Sequence, residues 1–359
     1  MSVPTPTPGS PAARGFRRRA EWEPHACTWL VWPHCEDTWP GYVLDERVAP
    51  SYVAMIDALR LGETVRVVVQ SDDHAESVRQ RLSTAGIPAV RESPEAGAAV
   101  RLHVWPTDDE WIRDFGALVV RSPNGDRLAT DWVFNAWGGK YDRTEQNNTV
   151  PELMAGVHGL EREPVGVVLE GGSIDVNGAG LAFTTTSCLL NPNRNPELGR
   201  DEIERLLLDG LGIEETIWLG DGIAGDDTDG HVDDFARFVG ERTVVVAQEP
   251  DPNDVNHEPL AEAAERLRQW RGRDGRGLEV VDLPMPPALF EGDERLPASY
   301  ANFLIGNAAV LMPAFDVPQD DAAAAVLERT VGRPVARIPA RALVWGLGAC
   351  HCLSQDVPA

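Results

Sequence analysis

The sequence predicts an α/β fold in which five ββαβ repeats close into a ring. Three observations carry this expectation. Strand-like and helix-like runs alternate along nearly the whole chain. Two-residue polar turns recur inside the cycles, which a wholly parallel sheet cannot accommodate because its strands need crossovers. The same order returns at intervals of roughly 50–70 residues, and a unit unable to bury both faces of its own sheet must stack on its neighbours.

Residues 1–20 (MSVPTPTPGSPAARGFRRRA) are rich in Pro, Ser and Arg, with no apolar stretch behind Arg17-Arg18-Arg19. They read as a disordered arm rather than a secretory signal, and residues 21–359 as one domain. Residues 27–32 (CTWLVW) have strand composition. Helically spaced apolar residues make 50–61 a helix, VRVVV makes 65–69 a strand, 73–82 reads as a second helix and 100–104 as an alternating strand. Strands 116–121 and 127–134 flank an Asn124-Gly125 turn, followed by a helix at 151–157 and a strand at 164–169. The third repeat has strands 173–176 and 181–185 around Asn177-Gly178, helix 201–208 and strand 215–219. The fourth has 234–239 and 243–247 around Gly240-Glu241, helix 260–271 and strand 278–283; the fifth has 300–305 and 308–312 around Gly306-Asn307, helix 320–330 and strand 334–338. The segment from His351 onward then pairs with 27–32 and completes the first repeat. A doubly wound sheet would also alternate strands and helices, but the hairpins and the lack of a Gly-x-Gly-x-x-Gly fingerprint after a strand argue against it.

The chain of 359 residues, 43% of them hydrophobic, is long enough for a large core. A formal net charge of -25 excludes nucleic acid as an expected partner, since phosphate binding runs on basic patches. It keeps the surface solvated and suits a cationic substrate. Five cysteines (27, 35, 188, 350 and 352) are odd in number and irregular in spacing, so the expectation is a reducing, cytoplasmic setting without a disulfide framework. No run approaches the length needed to span a membrane.

The chemistry-bearing residues fall at equivalent places in the repeats. Asp114 precedes the second hairpin, Glu170 the third, His231 and Asp233 the fourth, and Cys352 the closing strand; the fifth begins with Ser299-Tyr300-Ala301-Asn302. In a ring these positions converge at one end of the axis. Cys350 and Cys352 would share a strand face, and only position in the repeat favours Cys352. The Cys350-His351-Cys352 cluster has no second Cys/His pair at ligand spacing, and the Asp-rich stretch 221–229 lacks the spacing of a calcium loop, so no metal is expected. Carboxylates around a thiol suppress the thiolate unless the substrate brings positive charge. A guanidinium does, with planar paired donors that match carboxylates.

These residues resemble the agmatine deiminase family, related to the bacterial peptidylarginine deiminases. The resemblance rests on AEWEPH at 20–25, WIRD at 111–114, FNAWGGKY at 134–141, LEGGS at 169–173, NPNRNP at 191–196, DDTDGHVD at 226–233 and HCLSQ at 351–355, all in the family's order. It implies a five-bladed α/β propeller (the pentein fold) and a homo-oligomer without metal or organic cofactor, acting on a small cationic guanidino substrate. It also implies that Cys352 attacks the guanidinium carbon, that Asp114 and Asp233 hold guanidinium nitrogens, that Glu170 binds the guanidinium and supports His231, and that His231 is the proton carrier. Trp111 and Asp227 match positions lining the family's substrate channel. Two departures stand out: Gly346-Leu347-Gly348-Ala349-Cys350 replaces the usual Gly-Gly-Gly-Asn-Ile, and Ser354-Gln355-Asp356 replaces Thr-Gln-Gln. Both are expected to alter the rim near the nucleophile. The substrate's tail is therefore left open among agmatine, arginine, a peptidyl arginine or another guanidine. An amidinotransferase and a silent cation-binding module are the alternative functions.

Overall fold

Nearly every predicted strand and helix is present in the computed structural model, which describes residues 4–91, 99–142 and 144–359. In chain order, β1 (Arg17–Arg18) and β2 (His25–Val31) are followed by α1 (Ala49–Leu59), β3 (Thr64–Val69), α2 (Asp72–Thr84), β4 (Ala89–Arg91) and β5 (Val100–Val104). The second unit is β6 (Leu118–Arg121), β7 (Arg127–Val133), α3 (Val150–His158) and β8 (Glu161–Val168). The third is β9 (Ile174–Val176), β10 (Leu181–Thr185), α4 (Arg200–Leu211) and β11 (Glu215–Leu219). The fourth is β12 (Ala236–Phe238), β13 (Thr243–Gln248), α5 (His257–Gln269) and β14 (Glu279–Pro284). A small hairpin of β15 (Phe290–Glu291) and β16 (Glu294–Arg295) precedes the fifth unit, which is β17 (Leu304–Ile305), β18 (Val310–Ala314), α6 (Gln319–Val331) and β19 (Val335–Pro339). The last strand is β20 (Ser354–Pro358).

Each main sheet mixes antiparallel and parallel pairings. β6–β7, β9–β10, β12–β13 and β17–β18 are antiparallel, while β7–β8, β10–β11, β13–β14 and β18–β19 are parallel across a helix. In the first unit the antiparallel partner of β2 is β20, with Thr28 opposite Asp356 and Leu30 opposite Ser354, and β2 runs parallel to β3. This mixed pattern rules out the doubly wound alternative. Strands β10, β18 and β20 are buried at every position, so their apolar residues face packed elements on both sides. The helices cover the sheets with one stripe. In α5 it is Leu260, Ala263, Ala264 and Leu267, at helical spacing and buried against the core of the fourth unit.

The disordered arm expected for 1–20 is corrected by the structure. Residues 1–3 lie outside the described residues, but 4–20 are laid along the second and third units. Thr7 donates from its main-chain N and Oγ1 to Asp209 at 2.7 and 2.6 Å, and Arg14 forms a forked pair with Glu161. β1 then adds to the edge of β6, where Arg18 is buried and paired with Asp356. Composition misled here because the arginines that suggested a solvated arm are its anchors, each with a specific acidic partner.

The Asn177-Gly178 turn supports the arm as well. Gly178 has φ +71°, and a Cβ there would come within 2.7 Å of the Ala20 main-chain nitrogen. Gly178→Ala is expected to destabilise the protein by about 1–3 kcal/mol, read as a lower urea midpoint at unchanged m-value.

Candidate active site

The loops leading into the hairpins deliver the predicted residues to one place. Asp114 lies on the one-turn helix Ile112–Phe115 before β6, and Glu170 immediately precedes the turn Gly171–Ser173 before β9. His231 and Asp233 belong to the turn before β12, and Cys352 to the turn before β20. All five are buried. The Glu-Gly-Gly-Ser motif shows why the convergence needs glycine. A Cβ on Gly172 would lie 2.6 Å from His231 Nδ1, 3.0 Å from Asp114 Oδ1 and 3.1 Å from Asp233 Oδ2.

Asp114 accepts hydrogen bonds from Trp137 Nε1 at 2.9 Å and from the Gly172 main chain at 3.0 Å. Trp137 reaches it through a run of left-handed residues, Ala136 (φ +54°), Trp137 (+52°), Gly138 (+91°) and Gly139 (+75°), a backbone that side chains rarely adopt away from functional sites. Glu170 accepts from Arg194 Nε at 2.6 Å through Oε1. His231 Nδ1 is 3.7 Å from Asp114 Oδ1. Cys352 Sγ is 3.6 Å from Asp233 Oδ2 and receives Asn302 Nδ2 at 2.9 Å. Among the described residues, Glu170 Oε2, Asp233 Oδ1 and both ring nitrogens of His231 are buried without a hydrogen-bond partner. Orphaned polar atoms at this density are costly unless something else satisfies them.

Electrostatics follow from the burial. Burial, then Asp233 and Glu170, pushes Asp114 well above the usual carboxylate range. Burial also raises Glu170, against the opposing pull of Arg194. The Cys352 thiol is pushed well up by burial and then by Asp233, Asp234 and Asp114. Burial lowers His231 to about 3 despite the neighbouring Asp233 carboxylate, so the imidazole is neutral. Burial would raise Asp233 too, but its bond to His351 together with the field of His351, His231 and Arg237 outweighs that and lowers it.

A cavity of about 170 Å³ opens above the thiol. Its floor is Cys352 and Asp114, its walls include Trp111, Trp137, Trp345, Leu347 and Asp109, and Asp37, Tyr141 and Asp227 stand towards the mouth. Trp111 and Asp227 thus line the same cavity as Cys352. Asp227 accepts from Tyr141 Oη at 2.5 Å. The rest of the acidic loop is internally braced: Asp226 accepts from the main chain of Thr228, Gly230 and His231, and Asp229 pairs with Lys140 and Arg194.

The departures noted at Cys350 and Asp356 do not shape the rim. Cys350 is fully buried in the core, and Asp356 turns away to Arg18 and Arg113. Arg113 therefore does not pair with Asp114. Sequence reasoning also missed a second layer of residues. His351 donates through Nδ1 to Asp233 at 2.6 Å and contacts Glu21 Oε2 through Nε2 at 2.8 Å. Glu21 in turn meets Arg237 at 2.8 Å and Arg113 at 3.4 Å. Glu21, Trp137, Arg194 and His351 all lie within the motifs quoted above, so membership of a motif was the available signal. Two trios of donor atoms, Glu170 with Cys188 and His231, and Asp233 with Asp234 and Cys352, each lie within 4.8 Å of one another. Both are parts of this same constellation.

A buried thiol set among carboxylates and an unpaired imidazole is the equipment of a cysteine-dependent hydrolase. The Porphyromonas-type peptidyl-arginine deiminase family matches residues 17–358. An agmatine deiminase of Ectopseudomonas mendocina is 37% identical over 375 residues, covering 98% of this chain and 97% of its own. Among solved structures, an agmatine deiminase of Enterococcus faecalis superposes with a TM-score of 0.89 at 29% identity, covering 99% of both chains. A substrate-bound agmatine deiminase of C. jejuni superposes at 0.83 with 30% identity, covering 95% of this chain and 96% of its own. The chain belongs to the Porphyromonas-type peptidyl-arginine deiminase family. Its α/β fold is the one these agmatine deiminases share.

Proposed function

We propose that this protein hydrolyses agmatine to N-carbamoylputrescine and ammonia through a covalent intermediate on Cys352. The observation that carries the reading is the set of unpartnered buried polar atoms, the acceptors Glu170 Oε2 and Asp233 Oδ1 with the neutral His231 ring beside them, gathered near a thiol. A guanidinium supplies the planar fork of donors that would satisfy them. Its charge also reverses the local electrostatics: with a cation held between Asp114 and Asp233, the thiolate becomes the favoured form.

The Cys352 proton then passes to neutral His231, and the sulphur bonds to the guanidinium carbon. The C–N bond breaks as His231 returns the proton to the departing nitrogen, which leaves as ammonia and gives an amidino-thioether cation. Neutral His231 next takes a proton from water, whose oxygen adds to the same carbon. The C–S bond breaks, the ureido product forms, the thiol is restored and one proton goes to the ammonia. A pocket built only to bind a cation would need the carboxylates but not a thiol at its floor.

The tail is read by the cavity. Four aspartates (37, 109, 114 and 227) line it, and none of its described lining residues is basic. The ammonium of agmatine suits that field, whereas the carboxylate of free arginine would face like charge without a partner, at a cost of several kcal/mol. Ammonia release from agmatine is therefore expected to exceed that from arginine by at least about 100-fold in kcat/KM. Comparable turnover of arginine would overturn the assignment. Binding should also release protons. Burial and the neighbouring carboxylates push Asp114 and Cys352 towards their protonated forms and a bound guanidinium opposes that, so the affinity for agmatine rises with pH. Titration calorimetry in buffers of different ionisation enthalpy is expected to show net proton release on agmatine binding; proton uptake would count against it.

The five sheets are read here as blades of a propeller around one axis, in a cytoplasmic homo-oligomer. Support for the blades comes from the repeated ββαβ order and from β20 closing the first sheet.

A further inference from the structure

Asn302 lies just before β17 and is 1% exposed. Every hydrogen-bonding position on its carboxamide is used, and all four partners belong to the catalytic turn or to its acidic neighbour. Oδ1 accepts the main-chain N–H groups of His351 at 3.1 Å and Cys352 at 3.3 Å. Nδ2 donates to Cys352 Sγ at 2.9 Å and to Asp234 Oδ1 at 3.0 Å. The His351 N–H also meets the Asn302 main-chain oxygen at 3.1 Å. Two main-chain donors on one side of the amide fix which way it faces, because the NH2 group cannot occupy that side. Its two N–H bonds are thereby aimed at the sulphur and at a carboxylate that crowds it.

We propose that Asn302 is a positioning residue for the nucleophile, fixing the Cys352 sulphur at the cavity floor and donating a side-chain hydrogen bond that stabilises its thiolate. This rests on the reading of Cys352 as nucleophile. The geometry gives the residue two separable tasks. Through Oδ1 it holds the turn that carries Cys352. Through Nδ2 it opposes Asp233, Asp234 and Asp114, which all disfavour the charged sulphur. A hydrogen bond to the thiolate is strongest once the proton has left, so it acts on the step in which sulphur attacks rather than on substrate capture.

The test is the pH dependence of Cys352 alkylation by iodoacetamide, followed by peptide mapping, in wild type, Asn302→Ala, Asn302→Ser and Asn302→Asp, together with kcat and KM for agmatine. Asn302→Ala is expected to move the alkylation midpoint upward by about one pH unit and to lower kcat by about 10- to 100-fold, with KM changed by less than about threefold. Asn302→Asp, which puts a further carboxylate against the sulphur, is expected to move it further. Asn302→Ser keeps a hydroxyl donor, and should recover part of both effects and remain folded if the alanine variant does not. An unchanged midpoint in folded Asn302→Ala, or in folded Asn302→Asp where the alanine variant does not fold, overturns the proposal, whatever happens to kcat, because a purely structural asparagine would leave the thiol's titration alone. The alkylation profile needs no substrate. Failure of wild type to turn over agmatine would therefore count against the functional reading and leave the Asn302 result to be judged separately.

Discussion

Cys352→Ala is expected to lower kcat for agmatine by at least about 10⁴-fold while leaving its binding within about threefold of wild type. The carboxylates that would hold the guanidinium are carried by other loops, so the cation still has its site, but no covalent bond can form. The paired control is Cys350→Ala. That side chain is fully buried and does not line the cavity, so turnover should stay within about threefold. Mass spectrometry after exposure to chloroacetamidine should find the adduct on Cys352 alone. Retention of activity in Cys352→Ala, or its loss in folded Cys350→Ala, would transfer the role to another residue.

Glu21→Ala is expected to cost about 3–5 kcal/mol of stability and to reduce activity as well. The carboxylate stands between Arg237, Arg113 and His351, all buried, and accepts the Ile305 main-chain N–H at 2.7 Å. Its removal leaves two guanidinium groups undercompensated and frees the outer side of the ring that holds Asp233. Burial alone would raise the Glu21 carboxyl, but Arg237, His351 and Arg113 outweigh it and hold it well below 4.5. A group depressed in the folded state contributes its stability above the unfolded value and loses it as pH falls. Wild type should therefore weaken progressively below about pH 4.5, and Glu21→Ala should lose part of that dependence. Denaturant melts at pH 7 and pH 4 test both claims. Equal midpoints for wild type and variant at pH 7 would show that the network carries little of the fold.

How much of this was legible in the sequence depended on distance along the chain. Hairpins such as that at Asn177-Gly178 are local, and their turn chemistry is written in adjacent residues. Asp114, Glu170, His231 and Cys352 could be grouped without a structure because each occupies the same place in a repeated unit, so periodicity substituted for coordinates. The residues behind them could not be grouped that way. His351 finds Glu21 and Asp233, and Asp356 finds Arg18 and Arg113, only when strands from opposite ends of the sequence pair. Neither spacing nor composition encodes such a partner. The same gap made the basic segment at 14–19 look like a solvated arm, and made Asp356 look like a change to the rim. Asn302 was visible as the start of a hairpin, but its hold on the sulphur depends on two loops meeting.

The pairing of β2 with β20 also has a kinetic consequence. Contacts such as Arg18 with Asp356 and His351 with Glu21 span more than 300 residues, and closing a loop of that length precedes any reward from the contact. The thiol, its asparagine and the histidine behind Asp233 all ride on or next to the piece that docks last. A chain with four units formed and the closing strand loose would be mostly folded and wholly inactive, with Cys352 open to oxidants. On unfolding the order reverses. Enzymatic activity should vanish at lower denaturant than the bulk circular dichroism signal, and the gap between the two curves would report the strength of that one seam.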